Sequence, residues 1–579
     1  MCGIYGFLGL NDPQLLKRMG KALEHRGPDE NGIHIDNNIN MGSDRLSIVG
    51  INNGRQPIYN EDKSIVVVAN CEIYNYKTLK AELEKKGHEF TTETDTEVIV
   101  HMYEEYGKEV PKYLNGDFAF AIWDQNKKQL LLARDHFGIN PVYYVHKDKI
   151  FYFASEIKAL LEAQLPRELD LTGLYEYLTF AYTVDRHTLF KNIYAVLPSE
   201  YILVTDKGYS REKYWTVPNP TNELTEEAAI TQVREAVTQG IKNRMMSDVP
   251  IGIFLSDGID SNIVASVVTK HMDQQLNAYS IKMEGVDTER IDDSVKKFNL
   301  NHTYISLEKE HIYILPKIIK HLDCLTGDPT AVPNYLLSQE AHKKVKTVLT
   351  GEGADELFYG YDLFKRFTNS SYHPMHERAE KKYFRFLALF RDDFTHNEKQ
   401  VLIKGYKRYD PYEHIYPYFE NEMDSKDQLS RFLLGNYLPN SLLNRLNHMS
   451  LANSLEGRVP FLDIIMATKV ITQVPHHLKL KEGTEKYILS KAFKNVLPLS
   501  FRNATKKPFS VPLEKIYGKE LYRELLKVME ETGLFKELIN KEFVEKIIKK
   551  NEHSHLYSRQ LWSLLAFAHW YKIFILQSK

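Results

Sequence analysis

Hydrophobic positions up to about residue 205 fall mainly into short runs that predict β-strands. Turn residues separate these runs, and two longer segments with helical spacing interrupt them. The predicted strands are GIYGFLG, SIVVVANCEIY, FAFAIWD, QLLLARD, PVYYVHK and IFYFAS, and the predicted helices are DPQLLKRMGKALEH and DTEVIVHMYEEYG. Many strands with few helices indicate two sheets packed face to face, with the helices on the outside.

The pattern changes at the segment YWTVPNPTNELT, whose Pro, Asn and Thr residues predict a linker. A long helical run, EEAAITQVREAVTQGIKNRM, follows, and strands then alternate with helices, as in VPIGIFL, NIVASVVTKHM, LNAYSIKM and KTVLT. This alternation predicts a doubly wound parallel sheet that binds ligands at the carboxyl ends of its strands. From about residue 370 the spacing is mostly helical. We therefore expect a two-domain α/β protein, divided into residues 1–210 and 211–579.

Composition and charge narrow the class of protein. The 579 residues are 43% hydrophobic and 26% charged, which is typical of a globular protein, and no stretch approaches the roughly 20 apolar residues that span a bilayer. A formal net charge of -2, with lysines interleaved among acids, argues against a nucleic-acid partner. Three scattered cysteines do not form a disulfide framework or a thiolate metal site. With an N-terminus unlike a signal peptide, we expect a cytoplasmic protein without membrane segments.

Cys2 is the first candidate catalytic residue. If Met1 is removed, which a small side chain at position 2 permits, the thiol lies beside its own α-amino group. The amine titrates near pH ~8 and the thiol near ~8.5, so a proton can pass between them at physiological pH. Most cysteines at position 2 have no such role, so the assignment depends on the surrounding sequence.

Seven ordered motifs surround this candidate nucleophile. They are MCGIYGFLG, HRGPDENG, SDRLSIVG, NCEIYN, TDTEVI, NGDFAFAIWD and ARDHFGINPVYY. In this order they resemble the glutaminase domain of the N-terminal-nucleophile amidotransferases, specifically that of the glutamine-hydrolysing asparagine synthetase family. The resemblance implies an α/β/β/α sandwich that releases ammonia from glutamine.

The resemblance also implies a role for each matched residue. Arg45 would bind the glutamine α-carboxylate, for which a planar guanidinium is suited. Glu72 and Asp95 would accept the α-ammonium group. The side chain of Asn70 and the backbone N–H of Cys71 would form the oxyanion hole. The alternative is that the arginine and the acids form ordinary surface pairs.

Position 71 departs from the family, which usually has glycine there. The backbone N–H survives the change, but we expect the Cys71 side chain to lie beside the reactive thiol and to alter substrate fit or sensitivity to oxidation.

A second constellation follows in PIGIFLSDGIDSNIVASVV, which resembles the PP-loop of ATP pyrophosphatases, usually SGGxDS. Backbone N–H groups, a serine hydroxyl and a helix N-terminus hold pyrophosphate in such a loop. Asp257 replaces the usual glycine and brings a carboxylate near the phosphates, which is unfavourable unless it faces away, binds a cation or meets a lysine. The implied nucleotide-binding residues are Leu255, Ser256, Asp257, Gly258, Asp260, Ser261, Ile281, Met283, Thr350 and Gly351.

The motif VLTGEGADELFYGY completes the nucleotide site of the family. Asp260 and Asp355 are the implied Mg²⁺ ligands, because Mg²⁺ prefers a few carboxylates together with phosphate oxygens. Glu352 would contact the acceptor and take a proton from ammonia. In RNATKKPFSVPL, Lys506 would neutralise charge on the phosphates, with Lys507 as a substitute.

The segments NHMSLANSLEGRVPFLD and HLDCLTGDPTAVPNYLLS extend the resemblance. In the first, Glu456 and Arg458 have a structural interpretation, in which they brace the nucleotide site from the end of a helix. In the second, Thr326 is a candidate contact of the acceptor, although no arginine stands in this loop to bind a substrate carboxylate.

Together the two halves imply coupled chemistry. Glutamine is hydrolysed, ammonia crosses an internal tunnel, and ATP adenylates a carboxylate that ammonia attacks, giving AMP and pyrophosphate. Aspartate is the first choice of acceptor. The alternatives are another carboxylate, such as a sugar acid, a cell-wall peptide or a natural-product precursor, and a non-catalytic regulatory subunit that binds nucleotide or glutamine. Retention of Cys2, Asp260, Glu352, Asp355 and Lys506 argues against the regulatory subunit. By analogy with relatives, a homodimer is possible.

Overall fold

The computed structural model describes residues 2–221, 224–369, 393–419, 423–501 and 510–577. Its N-terminal domain contains two antiparallel sheets. Their strands are β1 (Cys2–Leu8), β2 (Glu30–Ile35), β3 (Ile39–Arg45), β4 (Ile58–Tyr59), β5 (Ile65–Ile73), β6 (Gly116–Asp124), β7 (Gln129–Arg134), β8 (Tyr143–Lys147), β9 (Ile150–Ala154), β10 (Tyr194–Ala195), β11 (Glu200–Thr205) and β12 (Gly208–Lys213). The first sheet has the order β10-β8-β9-β1-β3-β2, and the second has the order β12-β11-β7-β6-β5-β4.

Alternation along the strands builds a layered core. In β1, Ile4 packs between the two sheets, whereas Tyr5 and Phe7 point to the other face and join the cluster around the first helix. In β5, Val66 and Val68 likewise face the space between the sheets. The sheets are therefore stacked with apolar side chains on both faces.

Helices cover the outside of this sandwich. They are α1 (Pro13–Leu23), α2 (Tyr76–Lys85), α3 (Glu97–Tyr106), α4 (Ile157–Leu160) and α5 (Leu171–Phe180). At the start of α1 the Asp12 carboxylate accepts hydrogen bonds from the backbone N–H groups of residues 14 and 15, at 3.0 and 2.9 Å, and Pro13 follows it. The predicted α/β/β/α arrangement is confirmed.

The C-terminal domain is built on a parallel sheet of strands β13 (Ile251–Phe254), β14 (Asn277–Lys282), β15 (Asn301–Ser306), β16 (Thr347–Leu349) and β17 (Glu456–Arg458). Its order is β15-β14-β13-β16-β17, and every pair of neighbours is parallel. The carboxyl ends of the strands therefore meet at one edge, as the alternating pattern predicted.

Helices surround this sheet and make up most of the regular structure in the rest of the described chain. They are α6 (Glu226–Asn243), α7 (Ile259–His271), α8 (Glu289–Phe298), α9 (Leu315–His321), α10 (Ala331–Ala341), α11 (Ala354–Phe358), α12 (Asp362–Asn369), α13 (His396–Leu402), α14 (Ser425–Phe432), α15 (Leu443–Leu451), α16 (Ile464–Gln473), α17 (His476–Lys479), α18 (Tyr487–Phe493), α19 (Leu513–Ile516), α20 (Lys519–Glu531), α21 (Leu534–Glu537), α22 (Lys541–Ser554) and α23 (Ser558–Trp570). Among the described residues, no helix combines the length and the apolar character needed to cross a bilayer.

A buried arginine fastens the two domains together. Arg244, which follows α6, places Nη2 3.0 Å from Asp117 Oδ1 in β6 and Nη1 2.9 Å from Asp463 Oδ2 before α16. All three side chains are almost completely shielded from solvent. Removing the cation would leave two buried carboxylates without their charge partner, which is costly.

We expect Arg244→Met to lower the free energy of unfolding by about 3–5 kcal/mol, because it leaves Asp117 and Asp463 buried without a charge partner. Urea unfolding followed by tryptophan fluorescence measures the change. The matched control is Lys242→Met, which alters an exposed cation in the last turn of α6. Equal urea midpoints for the two variants would contradict the structural role of Arg244.

Candidate active site

Cys2 lies at the start of β1, between the two sheets. Its Cα is paired with that of Arg45 in β3, and alternation puts its side chain on the same face as Ile4. Asn70 and Glu72 lie on the matching face of β5, two and four residues beyond Val68. The two sheets thus bring Cys2, Arg45, Asn70 and Glu72 together, and each is at most 4% exposed.

Asn70 accepts hydrogen bonds through both its side-chain oxygen and its backbone carbonyl. The backbone N–H of Cys2 donates to Asn70 Oδ1 at 2.7 Å, and Asn140 Nδ2 donates to the Asn70 carbonyl at 3.0 Å. Asn70 Nδ2 is buried and has no hydrogen-bond partner among the described residues. A fixed, unused donor of this kind beside a thiol is suited to an oxyanion.

Cys71 points away from Cys2. It belongs to the opposite face of β5, in the apolar cluster beneath α3, and its Sγ lies 3.4 Å from Thr96 Oγ1. Successive side chains of a strand project to opposite faces, so Cys71 does not share the face of Asn70, although Cys2 is near enough to contribute to the raised pKa of Cys71. Burial raises the pKa of the Cys71 thiol well above its ordinary value, so this cysteine stays neutral.

Arg45 and Asp95, two of the three predicted glutamine contacts, are held in place by neighbouring groups. Arg45 places Nη1 2.6 Å from Glu30 Oε2 and donates from Nη2 to the carbonyls of Val49 and Gly50 at 2.8 and 2.9 Å. Asp95 precedes α3, and its Oδ2 accepts from the backbone N–H of Ile73 at 2.6 Å. These contacts fix both side chains beside the strands that carry Cys2 and Asn70.

Glu72 meets a cation from the other domain. Arg458 Nη2 in β17 lies 2.9 Å from Glu72 Oε2, and Arg458 Nε donates to Glu456. Burial raises the pKa of Glu72 well above its usual range, Glu456 raises it further and Arg458 opposes them. Burial also raises the pKa of Asp95. A ligand ammonium group would relieve this concentration of buried carboxylates. Glu456 and Arg458 lie on a strand, so their expected position at a helix end was wrong.

Sequence reasoning left Arg26 without a role, although it stands in the motif HRGPDENG. Its Nε donates to the Cys2 carbonyl at 3.2 Å, Nη1 to Glu156 Oε1 at 2.7 Å and Nη2 to Asn447 Oδ1 at 2.9 Å. Asn447 Nδ2 in turn donates to Asn140 Oδ1 at 3.1 Å. Arg26 therefore ties the backbone of the candidate nucleophile to the C-terminal domain.

The second site forms around the turn between β13 and α7. Ser261 Oγ accepts from the backbone N–H of Ser256 and lies 3.1 Å from Ser256 Oγ. Asn262 Nδ2 donates to the carbonyls of Ser256 and Gly258 at 3.0 and 2.6 Å. These bonds fold residues 256–258 over the N-terminus of α7, where Asp257 is partly buried. The geometry is that of a phosphate-binding turn.

The two nucleotide motifs meet in space, although Asp260 and Gly351 are 91 residues apart in the sequence. A methyl group added at Gly351 would lie 3.0 Å from Asp260 Cβ and 3.1 Å from the Ser261 nitrogen, so a side chain there would fit only if its neighbours shifted slightly. Thr350 donates from its backbone N–H to the Arg458 carbonyl at 2.9 Å. Leu255, Ile281 and Met283 lie at or just beyond the carboxyl ends of β13 and β14 and are buried.

Lys486 joins the two aspartates that were predicted as metal ligands. Its Nζ lies 2.5 Å from Asp260 Oδ2 and 2.8 Å from Asp355 Oδ1, and its side chain is 2% exposed. Nothing in the spacing of the chain singled it out, because it stands in the turn before α18. A side chain at Gly360 would collide with Asp355 and Lys486. Lys506 and Lys507 lie outside the described residues.

The acceptor side contains an arginine from a distant helix. Arg445 in α15 has Nη2 3.5 Å from Glu352 Oε1, and its Nη1 donates to Asp328 and to Thr330 Oγ1. The sequence showed no arginine within this loop, and the fold brings one to it. Thr326 is buried, and its Oγ1 has no hydrogen-bond partner in the described parts of the chain.

A buried cysteine between two antiparallel sheets and a phosphate-binding turn at the edge of a parallel sheet define a class: a glutamine amidotransferase domain joined to an ATP-pyrophosphatase-like synthetase domain. Family models agree. The model described as "Glutamine amidotransferase domain" matches residues 1–215, and that described as "Asparagine synthase" matches residues 232–572. The chain belongs to the asparagine synthase family and is an enzyme of the glutamine-hydrolysing asparagine synthetase kind.

Named relatives resemble the chain over most of its length. Asparagine synthetase [glutamine-hydrolyzing] 1 of Bacillus subtilis is 32% identical, with 99% of this chain and 97% of that protein covered. Asparagine synthetase [glutamine-hydrolyzing] 3 of the same organism is 29% identical over 88% of this chain and 87% of the relative. Among solved structures, glutamine PRPP amidotransferase from B. subtilis is 15% identical, with a TM-score of 0.29 and coverage of 53% of this chain and 81% of that one.

The raised pKa values of Glu72 and Asp95 predict a pH-dependent affinity for glutamine. Only the ionised carboxylates attract an ammonium group, and raised pKa values mean that protonation begins above the ordinary carboxylate range. We therefore expect the KM for glutamine to rise as the pH is lowered, starting at a pH above that at which an ordinary carboxylate is protonated. Glutaminase initial rates measure it. In Asp95→Asn the KM starts higher but rises less steeply, and a KM independent of pH in the unsubstituted enzyme would contradict the prediction.

Proposed function

We propose that the enzyme makes asparagine from aspartate through an acyl-adenylate, using ammonia released from glutamine at Cys2. The observation that carries the proposal is that the candidate glutamine site and the candidate nucleotide site meet at one interface between the domains. Arg458 contacts Glu72 of the glutamine site through its guanidinium and Thr350 of the nucleotide site through its carbonyl. We further propose that the two activities divide between residues 1–210 and 211–579.

In the first half-reaction, Cys2 Sγ attacks the glutamine side-chain amide and ammonia leaves. Burial raises the pKa of the Cys2 thiol and Arg45 opposes that rise, so the thiol is neutral and a base must take its proton. Removal of Met1 would turn the nitrogen that now donates to Asn70 into the α-amino group that serves as this base. Asn70 Nδ2 and the Cys71 N–H would bind the oxyanion, Arg45 the α-carboxylate, and Glu72 with Asp95 the α-ammonium group.

In the second half-reaction, an aspartate side-chain oxygen attacks the α-phosphorus of ATP and pyrophosphate leaves. Residues 256–261 would cradle the phosphates. Asp260 and Asp355 fit a divalent cation, because their carboxylates converge and Asp260 Oδ1 is buried without a hydrogen-bond partner among the described residues. Mg²⁺ bound there would neutralise charge on the departing pyrophosphate. Lys486 would add its own positive charge, in the role predicted for Lys506.

Ammonia then attacks the acyl carbon, and AMP leaves with one carboxylate oxygen. Glu352 would take the proton that the nitrogen loses. Arg445 holds Glu352 and the loop of Asp328 in place, and its Nε is buried with no partner in the described chain, which suits a substrate carboxylate. With Thr326, these groups would form a binding site for aspartate, and Arg445 was not among the residues predicted for it from the sequence.

The test uses purified enzyme with glutamine, ATP and oxygen-18-labelled aspartate. We expect glutamate, AMP, pyrophosphate and asparagine in equal amounts, with one labelled oxygen transferred to AMP. Cys2→Ala should lower glutamine-dependent asparagine formation by at least about 10³-fold and leave ammonia-dependent formation in place.

Absence of aspartate-dependent AMP would overturn the choice of acceptor, and a panel of other carboxylates would then identify the true one. Asparagine formed without label in AMP would instead overturn the acyl-adenylate while leaving the acceptor correct.

Lys486→Met tests the charge between the two aspartates. We expect pyrophosphate release to fall by about 10²–10³-fold, because a preorganised positive charge is lost from the site of the leaving group. Glutamine hydrolysis should change little, since Lys486 lies outside the glutamine site. The control Lys481→Met removes a nearby lysine paired with Glu226, and it should release pyrophosphate normally. Unchanged release in Lys486→Met would refute the assignment.

A further inference from the structure

Four potential metal ligands converge on the outer side of the N-terminal domain, away from Cys2. Glu61 follows β4, His88 follows α2, and His101 and Glu104 lie one turn apart on α3. One ligand atom from each lies within 4.8 Å of the others. His101 is buried, His88 is largely buried and the two glutamates reach the surface. Three separate segments of chain thus contribute to one cluster.

The four histidine–glutamate distances in this cluster are compatible with a tetrahedral ion. His88 Nδ1 lies 3.3 Å from Glu61 Oε1 and 3.5 Å from Glu104 Oε2, and His101 Nδ1 lies 3.5 and 2.9 Å from the same two oxygens. A tetrahedral ion with bonds of about 2.0–2.1 Å to nitrogen and oxygen separates its ligand atoms by about 3.3–3.4 Å. The four measured edges centre on that value.

The outward nitrogen of each imidazole also faces a carboxylate. His88 Nε2 is 3.2 Å from Glu105 Oε1, and His101 Nε2 is 3.9 Å from the buried Glu97 Oε1. Metal-binding histidines characteristically direct their second nitrogen at such an acceptor, which fixes the ring and strengthens the ligand. His88 has this arrangement, whereas His101 Nε2 is buried without a hydrogen-bond partner among the described residues. Both imidazoles direct Nδ1 at the same two carboxylates.

The candidate carboxylate ligands are themselves held. Asn60 Nδ2 donates to Glu104 Oε1 at 2.9 Å, which leaves Glu104 Oε2 directed at the two histidines. The backbone N–H of Glu89 donates to Glu61 Oε1 at 3.1 Å. The cluster is therefore organised before any ion arrives.

We propose that Glu61, His88, His101 and Glu104 bind one Zn²⁺ ion as a structural site. Two imidazoles and two carboxylates at tetrahedral spacing suit Zn²⁺ better than Mg²⁺, which requires oxygen ligands in an octahedron. The ion would tie α3 to the loops after β4 and α2. Because Asp95 and Thr96 immediately precede α3, the ion would steady the helix that follows Asp95. The site is independent of the reaction proposed above.

The experiment uses the full chain, stripped with a chelator and then titrated with Zn²⁺ or Co²⁺ alone. We expect about one Zn²⁺ per chain by elemental analysis, a rise in Tm on adding it, and the intense visible bands of four-coordinate Co²⁺. The double variant His88→Gln/His101→Gln should lose all three signals. Glu105→Gln, which removes only the carboxylate behind His88, should bind Zn²⁺ about 10–100-fold more weakly.

His146→Gln is the matched control, because it removes an exposed histidine of the same domain outside the cluster. It should bind Zn²⁺ as the unsubstituted chain does. Glu61→Gln, a change in a surface turn, tests the site should the double variant fail to fold, and it too should weaken binding. Equal Zn²⁺ binding by Glu61→Gln and His146→Gln, or no Zn²⁺-dependent rise in the Tm of the unsubstituted chain, would overturn the proposal and leave a set of histidine–glutamate ion pairs.

Discussion

The charge of one buried guanidinium, that of Arg458, balances carboxylates from both domains. It lies against Glu72 in β5 and Glu456 in β17, and it also donates from Nη1 to the Arg244 carbonyl at 2.8 Å. Arg458 lowers the pKa of Glu456, and it also opposes the rise in the pKa of Glu72, which stays raised because of burial. The proposed glutamine site thus has an excess of buried carboxylate, which the ammonium group of a ligand would offset.

Ion pairs in the same region fix the position of one domain relative to the other. Arg244 and Arg458 both come from the C-terminal domain, and both reach carboxylates of the N-terminal sandwich. Apolar contacts tolerate sliding, whereas a buried ion pair loses most of its energy when its atoms separate. Arg26, from the N-terminal domain, donates a hydrogen bond to Asn447 of the C-terminal domain. The distance between the two sites is consequently set by charges in addition to packing.

Much of the fold could be predicted because β5, β6, β13 and β16 are apolar runs with strand spacing. Strand β3, INMGSDR, escaped prediction because it is buried on both sides yet polar, and three-residue β17 is defined by its parallel pairing with β16, more than a hundred residues away. The candidate site residues likewise divide into those that local sequence predicts and those that depend on the tertiary fold. Cys2 and the turn of residues 256–261 are local motifs, whereas Lys486 and Arg445 reach their partners only through the tertiary fold, and the face occupied by Cys71 depended on strand register.

The contacts of Arg244 and Arg458 also bear on modularity. A cut in the linker would separate buried ion pairs. Glu72 and Asp117 would remain on the N-terminal fragment, whereas Arg458 and Arg244 would remain on the C-terminal one. The isolated sandwich would have to protonate or hydrate these carboxylates, or rearrange around them. Each domain thus supplies counter-ions for buried charges of the other, so a domain transplanted into this protein would have to carry matching charges at the interface.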